Sequence, residues 1–298
     1  MSGLQQLQDS CRRLGRRPPT NAPALRLANF LAPVPLHPLE ISRLDTVTDW
    51  DIRGNDKYGD CGPVSVANSR ALTTRVLTGI ESYPDLNAIL DLYRRSGNPN
   101  FPSDDNGVVM QDMLNEVHKN GIDGFRCIAY ARVDLSDIDE LRAAIAIFGT
   151  VLLGVNLDVA QQNQMVWDEV GPSYPWGGHA VMAADYTSQA SGADIGFISW
   201  GEAMALTDAF YWKQLEEAWI VIWPEHFSSK SFMEDIDVNE LALAYHALTG
   251  RVLPVPITPA PTPPVPKPPK PVPDSAMLRE LKKLYHEIGD FLKRHGWL

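Results

Sequence analysis

Residues 54–71, GNDKYGDCGPVSVANSRA, place a cysteine where a loop of glycines and aspartates changes into a run of small and apolar residues. Pro63 stands in the first turn of that run, and Gly79 stands just beyond its end. Proline suits a first helical turn and glycine the position after a last one, so the pattern predicts a helix that begins at Cys61. A thiol there is either a nucleophile whose pKa the helix N-terminus lowers, or a small buried hydrophobic side chain.

The segments that follow alternate between helical and strand patterns. Residues 107–122 and 137–149 carry apolar residues at helical spacing, and the second segment begins with aspartates, which suit a helix N-terminus. Later segments are rich in the branched and aromatic residues that favour strands. These strand segments cover residues 150–157, 178–186, 194–201 and 217–223. Helices first and strands later is an order typical of an α+β protein, with a helical half facing a sheet-rich half.

The composition excludes several classes of protein. The 298-residue chain is 44% hydrophobic and 21% charged, the balance of a globular protein with a sizeable core. Its net charge of −11 argues against a nucleic-acid-binding protein, because phosphate binding needs an excess of lysine and arginine. No apolar run approaches the ~20 residues that span a bilayer, and the N-terminus lacks the apolar core of a secretory signal. We therefore expect a cytoplasmic protein, or one that leaves the cell by lysis or on a particle.

The cysteines predict neither a disulfide framework nor a metal. Cys11, Cys61 and Cys127 are too few and too scattered for a set of disulfides, and no CxxC pair is present to hold zinc. Cys127 lies in an apolar segment and is expected in the core. A metal site made from Cys61, Cys127 and His179 stays open as an alternative, without support from the spacing. No cofactor is predicted.

Four parts of the chain differ in composition. Residues 1–45, with repeated prolines and a cluster of four arginines, predict an extended arm that is solvated or grips an acidic partner. Residues 46–250 form the mixed domain, whose last segment, 232–250, predicts a single helix. Residues 251–273 predict a polyproline II linker. Residues 274–298 predict an amphipathic helix or short coiled coil that self-associates or binds a partner protein.

Three segments resemble the papain-like cysteine peptidases, in their divergent bacterial and bacteriophage forms. NDKYGDCG, residues 55–62, is similar to the segment that leads to the nucleophile of that family, and GGHAVMAADY, residues 177–186, to its histidine strand. FISWG, residues 197–201, is similar to its Asn-Ser-Trp-Gly segment. The resemblance covers residues 46–223 and implies a two-lobed fold, in which a helical half and an antiparallel sheet or barrel half enclose a cleft.

The resemblance implies roles for individual residues of the site. Cys61 would be the nucleophile, and His179 the general base and acid. Asn55 stands where the family has its oxyanion-hole glutamine, and its amide would donate to the oxyanion together with the Cys61 backbone N–H. Where the family has the asparagine that orients the histidine, this chain has Ile198, which accepts no hydrogen bond. Ser199, one residue later, is the nearest polar replacement, and Asp185, six residues further along the His179 strand, is the second candidate.

The same segments imply the lining of a substrate cleft. Gly59, Gly178 and Trp200 are expected to contact substrate, and the Trp200 indole is expected to shield His179 from water. Two functions are compatible with these features. One is a thiol hydrolase, free or carried on a phage particle, that cuts peptide or related amide bonds in a peptide or protein substrate through a Cys61 acyl-enzyme. The other is a catalytically weak or inactive bacteriophage virion or assembly protein, attached through residues 274–298.

Overall fold

The computed structural model of the chain describes residues 12–32, 37–188 and 194–255. Most of the predicted linker and the predicted terminal helix, residues 274–298, lie outside these ranges, as does Cys11. Within the described ranges, no helix is both long enough and apolar enough to cross a bilayer.

Seven α-helices lie within the described residues. They are α1 Cys61–Thr78, α2 Leu86–Arg95, α3 Met110–Lys119, α4 Ile138–Phe148, α5 Asp208–Gln214, α6 Lys230–Asp235 and α7 Val238–Thr249. The helix predicted at Cys61 begins at that residue and ends at Thr78, where Gly79 adopts a left-handed conformation and closes the last turn. Every residue of α1 from Cys61 to Thr74 is buried, so this helix is covered on all sides in its first turns.

The described strands belong to one mixed sheet. They are β1 Leu25–Arg26, β2 Glu40–Ile41, β3 Ala129–Arg132, β4 Val151–Asp158, β5 Val166–Trp167, β6 Pro175–Thr187, β7 Ile195–Ser199, β8 Glu202–Leu206 and β9 Leu215–Ile222. The sheet order is β1-β3-β9-β4-β6-β7-β8-β5, and β2 pairs with β6. The four segments predicted as strands are β4, β6, β7 and β9, which include the central antiparallel strands.

The pleat of the sheet separates two apolar cores. On β4, Leu152 points into the core that α1 covers, and Leu153 points into the core that α4 covers. On β6, Met182 and Val181 divide between the same two cores. The α+β class expected from the order of the segments is confirmed.

The prediction of a single helix over residues 232–250 is wrong. The structure forms α6 and α7 with a break at Ile236, whose backbone is extended. The Asp237 side chain accepts from the backbone N–H groups of Asn239 and Glu240, so the aspartate begins a new helix.

Candidate active site

The candidate site lies where the start of α1 meets strand β6. Cys61 is the first residue of α1 and is 2% exposed. The backbone N–H of Ala180, the residue after His179, lies within hydrogen-bonding reach of the Cys61 thiol. The fold thus brings the cysteine segment and the histidine strand, far apart in sequence, to one place.

His179 is held on β6 by two neighbours. Its Nε2 lies 2.8 Å from the Ser199 hydroxyl oxygen, and the Trp200 ring stacks on the imidazole with 4.4 Å between ring centroids and an interplanar angle of 16°. The other ring nitrogen, Nδ1, is buried and makes no hydrogen bond within the described part of the chain. The imidazole is therefore oriented through Nε2, and its Nδ1 is available for a proton.

Alternation along β7 explains why Ser199 reaches the imidazole and Ile198 does not. Ile198 pairs with Met182 of β6 and is buried in the core beneath α1. Ser199 points to the opposite face of the sheet, which His179 also occupies. Asp185, further along β6, accepts from the backbone N–H groups of Arg43 and Leu44 instead.

A segment of the arm, Arg12–Arg17, covers this site. The Arg13 N–H donates to the Asn55 carbonyl oxygen at 3.0 Å, and the Trp200 indole N–H donates to the Arg13 carbonyl oxygen at 3.2 Å. The Arg12 guanidinium lies over the Trp200 ring, 4.8 Å from its centroid. We call residues 12–17 the covering segment.

The covering segment bonds to both halves of the molecule. On the helical side, Val108 donates its N–H to the Gly15 carbonyl oxygen at 2.7 Å, and its own carbonyl accepts from the Arg17 N–H at 2.8 Å. On the sheet side, the Arg16 N–H donates to the Gly178 carbonyl oxygen at 3.0 Å. The segment thus lies between the two halves, as a bound peptide would.

Glycines on both sides make room for this backbone. A Cβ on Gly15 would lie 1.8 Å from the Gly59 carbonyl oxygen, and a Cβ on Gly178 would lie 2.3 Å from the Arg16 carbonyl oxygen. Gly59, Gly178 and Trp200, the residues expected to contact substrate, therefore all contact the covering segment.

Burial keeps both reactive groups neutral. Desolvation raises the pKa of the Cys61 thiol to about 12, and desolvation together with the nearby Arg16 charge lowers the pKa of His179 to about 3. At neutral pH the covered site holds a thiol and an uncharged imidazole. A thiolate, the nucleophilic form of cysteine, requires that water reach the pair.

Asn55 and Asp60 are buried residues of the loop that leads to Cys61. The Asn55 side chain is buried, and its amide donates to the Tyr58 carbonyl oxygen at 2.9 Å. Asp60, the residue before Cys61, is fully buried, and burial raises its pKa to about 8. A protonated Asp60 adds no charge beside the thiol.

Sequence reasoning missed Asp60 and the covering segment. An acidic residue directly before a buried helix was the signal for the first. A glycine inside an arginine cluster, RRLGRR at residues 12–17, was the signal for the second. The alternative metal site finds no support, because the described residues contain no group of three His, Cys, Asp or Glu side chains placed to hold an ion. Cys127 is buried in the core, as expected.

Comparison with known proteins relates the fold to cysteine proteases. No protein-family model matches the sequence, and no curated protein matches it significantly. Among solved structures, the chain is similar to xylellain, a cysteine protease from Xylella fastidiosa, with a TM-score of 0.55, 14% identity, and coverage of 72% of this chain and 97% of that chain. It is also similar to the ragweed pollen cysteine protease Amb a 11 in its proform, with a TM-score of 0.50, 17% identity, and coverage of 64% of this chain and 68% of that chain. The papain-like fold that the sequence implied is thereby confirmed.

Gly15→Ala should expose the thiol. The added methyl group would collide with the Gly59 carbonyl. If the collision destabilises the covered state by ~1.4 kcal/mol, the fraction of molecules with an uncovered site rises about tenfold. We expect iodoacetamide to modify Cys61 roughly tenfold faster in this variant than in the parent, as measured by peptide mass spectrometry. Thr20→Ala, an exposed change in the same arm, serves as the control, and buried Cys127 is an internal reference. Equal rates of Cys61 modification in the parent, Gly15→Ala and Thr20→Ala would contradict the inference that the covering segment restricts access to Cys61.

His179 should make the protein less stable in acid. Its pKa is lowered in the folded state, so its contribution to stability is present above the unfolded value of 6.5 and is lost as the pH falls toward 3. Between pH 7 and pH 5 this loss amounts to ~2 kcal/mol. Denaturant unfolding should show that the parent loses about this much more free energy of unfolding than His179→Gln over the same interval. An identical pH dependence of the two proteins would refute the buried neutral imidazole.

Proposed function

We propose that the protein is a latent thiol peptidase, with Cys61 as the nucleophile and His179 as the general base and acid. One observation carries the proposal. His179 on β6 is oriented by Ser199 and stacked on Trp200. The next residue, Ala180, has a backbone N–H within hydrogen-bonding reach of the Cys61 thiol at the start of α1. The likeness in fold to cysteine proteases supports the same conclusion.

The reaction needs only groups already present in the site. With the covering segment displaced, His179 Nδ1 takes the proton from the Cys61 thiol, and the thiolate attacks the substrate carbonyl carbon. The negative charge moves to the carbonyl oxygen. There the Cys61 backbone N–H can donate, since the first N–H groups of a helix have no acceptor within it. The Asn55 amide, one of whose donors bonds to Tyr58, is the proposed second donor.

Collapse of this intermediate completes the first half of the reaction. The carbon–nitrogen bond breaks, Nδ1–H of His179 protonates the departing amine, and a thioester to Cys61 remains. Water, deprotonated by the same imidazole, then attacks the thioester and releases the acid and the free thiol. Throughout these steps the Ser199 hydroxyl accepts from Nε2–H, which leaves Nδ1 as the proton acceptor in the neutral ring.

Latency follows from the covered geometry. Burial disfavours the charged thiolate and imidazolium that proton transfer would form, and the covering segment occupies the groove that a substrate would need. The same observation favours the second candidate function, a catalytically inactive scaffold with a papain-like fold. The two candidates differ in whether the site becomes reactive when the segment leaves.

Peptide hydrolysis tests the proposal. The full chain carrying Gly15→Ala should cleave members of a quenched fluorescent peptide library, and Cys61→Ala in that background should abolish cleavage. Ser199→Ala should lower kcat about five- to tenfold, the equivalent of one neutral hydrogen bond of ~1 kcal/mol. Ser103→Ala, an exposed serine, is the matched control. The proposed peptidase function would be refuted if cleavage persists in the Cys61→Ala variant, or if no variant cleaves any peptide of the library.

The last part of the chain suggests how the domain is attached. We propose that residues 274–298, at the end of the proline-rich linker, dock the domain on a second copy, a partner protein or a bacteriophage particle. The support is the apolar seam in the sequence.

A chain ended at Val255 keeps the buried Leu253 and loses the seam. If the seam joins copies of the chain, native mass spectrometry should show an oligomer for the full chain and a monomer for the shortened one. The full chain with Leu281→Asp is the matched variant and should also be a monomer. A monomeric parent would contradict self-association.

A further inference from the structure

The Arg16 side chain occupies an acidic pocket beside the candidate active site. Its side chain has no solvent exposure, although arginine is seldom fully buried. Nη1 donates to Glu217 at 2.9 Å, Nη2 donates to Asn156 at 2.7 Å and to Glu216, and Nε donates to the Val155 carbonyl oxygen at 3.3 Å. The guanidinium is thus bonded along each of its edges.

Glu217 is the buried end of this pocket. Its side chain has no solvent exposure, and its second carboxylate oxygen accepts from the Trp219 indole N–H at 2.7 Å. A carboxylate buried without a cation is strongly unfavourable, because one neutral donor does not replace its lost hydration. The pocket therefore requires a cation, and Arg16 supplies it in the covered state.

A bulge and a glycine build the pocket into the sheet. Gly154 of β4 pairs with Glu217 of β9, but the next residue, Val155, pairs with Leu215, so Glu216 is the extra residue of a bulge. The bulge lets two consecutive glutamates reach one guanidinium. A Cβ on Gly154 would lie 2.5 Å from Glu217 Cγ and 2.8 Å from Arg16 Cδ, so glycine at this position keeps the pocket open.

The mouth of the pocket adjoins the reactive groups. The Arg16 N–H bonds to the Gly178 carbonyl oxygen, and Gly178 directly precedes His179. Gly15, the residue before Arg16, contacts Gly59 and has a backbone N–H within reach of the Cys61 thiol. A peptide that replaces the covering segment would therefore present one of its side chains to this pocket.

We propose that the pocket selects the substrate: it accepts an arginine side chain of the peptide to be cut, in the place that Arg16 holds in the covered state. This inference rests on the proposed peptidase function. Arginine fits better than lysine, because the acceptors from Glu217, Glu216, Asn156 and Val155 surround a planar group with five donors. The covering segment is then a tethered competitor of arginine-containing substrates.

Chemical rescue tests the pocket without catalysis. Arg16→Ala in the full chain leaves Glu217 buried without its cation and should lower the melting temperature. Millimolar ethylguanidinium should restore part of that loss, whereas N-ethylurea, a neutral analogue of similar shape, should not. Arg12→Ala, which removes an arginine whose partner Glu202 is exposed, should show no such rescue. Arg16→Ala combined with Glu217→Gln should not respond to ethylguanidinium. Equal responses to both compounds, or rescue that persists in the double variant, would overturn the proposal.

A positional library tests selectivity. The Arg16→Ala chain, and the Gly15→Ala chain in case the first does not fold, should cleave peptides with arginine at one position roughly a hundredfold faster than those with citrulline there. Glu217→Gln in either background should remove most of this preference. Cleavage without a preference for arginine would overturn the proposal that this pocket selects the substrate, but not the proposed peptidase function. If no peptide is cut, the peptidase proposal fails, and substrate selection by this pocket fails with it.

Discussion

The packing of α1 against strand β6 is the constraint on which the site depends. Each residue from Cys61 to Thr74 is buried, so the helix cannot shift without exposing apolar surface or opening voids. The segment before α3 also packs closely on the helix, since a Cβ on Gly62 would lie 2.5 Å from a Val108 methyl carbon. Because the helix position is determined by its core contacts, the thiol at its first residue is held against Ala180 independently of any catalytic interaction.

The candidate site is covered by the main chain of residues 12–17 and not by a side chain, and this has consequences for both the thiol and the imidazole. The covering segment uses main-chain hydrogen bonds to Asn55, Val108 and Gly178, and glycines on both sides allow this approach. Water is excluded from Cys61 and His179, and their charged forms are both disfavoured. In the proposed peptidase, the tethered segment would compete at an effective concentration in the millimolar range, so a substrate would have to bind well to displace it. Adjacent residues thus block the site and hold the segment: Gly15 closes the cleft, and Arg16 anchors the closure.

Much of the fold and part of the candidate site could be predicted from local patterns. Pro63 and Gly79 mark the first and last turns of α1, and the structure places its ends accordingly. Ser199 could be singled out because a residue next to the missing asparagine was polar, and the period of two along β7 turns it toward His179. The break before Asp237 was missed because a capping aspartate and an aspartate inside a helix look alike when apolar residues continue at helical spacing.

The sequence by itself determined where α1 starts and the α+β class, because caps, turns and pleats act over a few residues. That a cysteine segment would meet a histidine strand was implied only by the resemblance to a known family, since the two segments are far apart in sequence. Only the tertiary structure decided that residues 12–17 lie across the site and that Glu217 and Arg16, both without solvent exposure, face each other. In sequence, an arginine cluster and a glutamate pair are each compatible with a solvated surface. Their burial depends on a contact between segments about two hundred residues apart, and a local sequence pattern does not reveal such a contact.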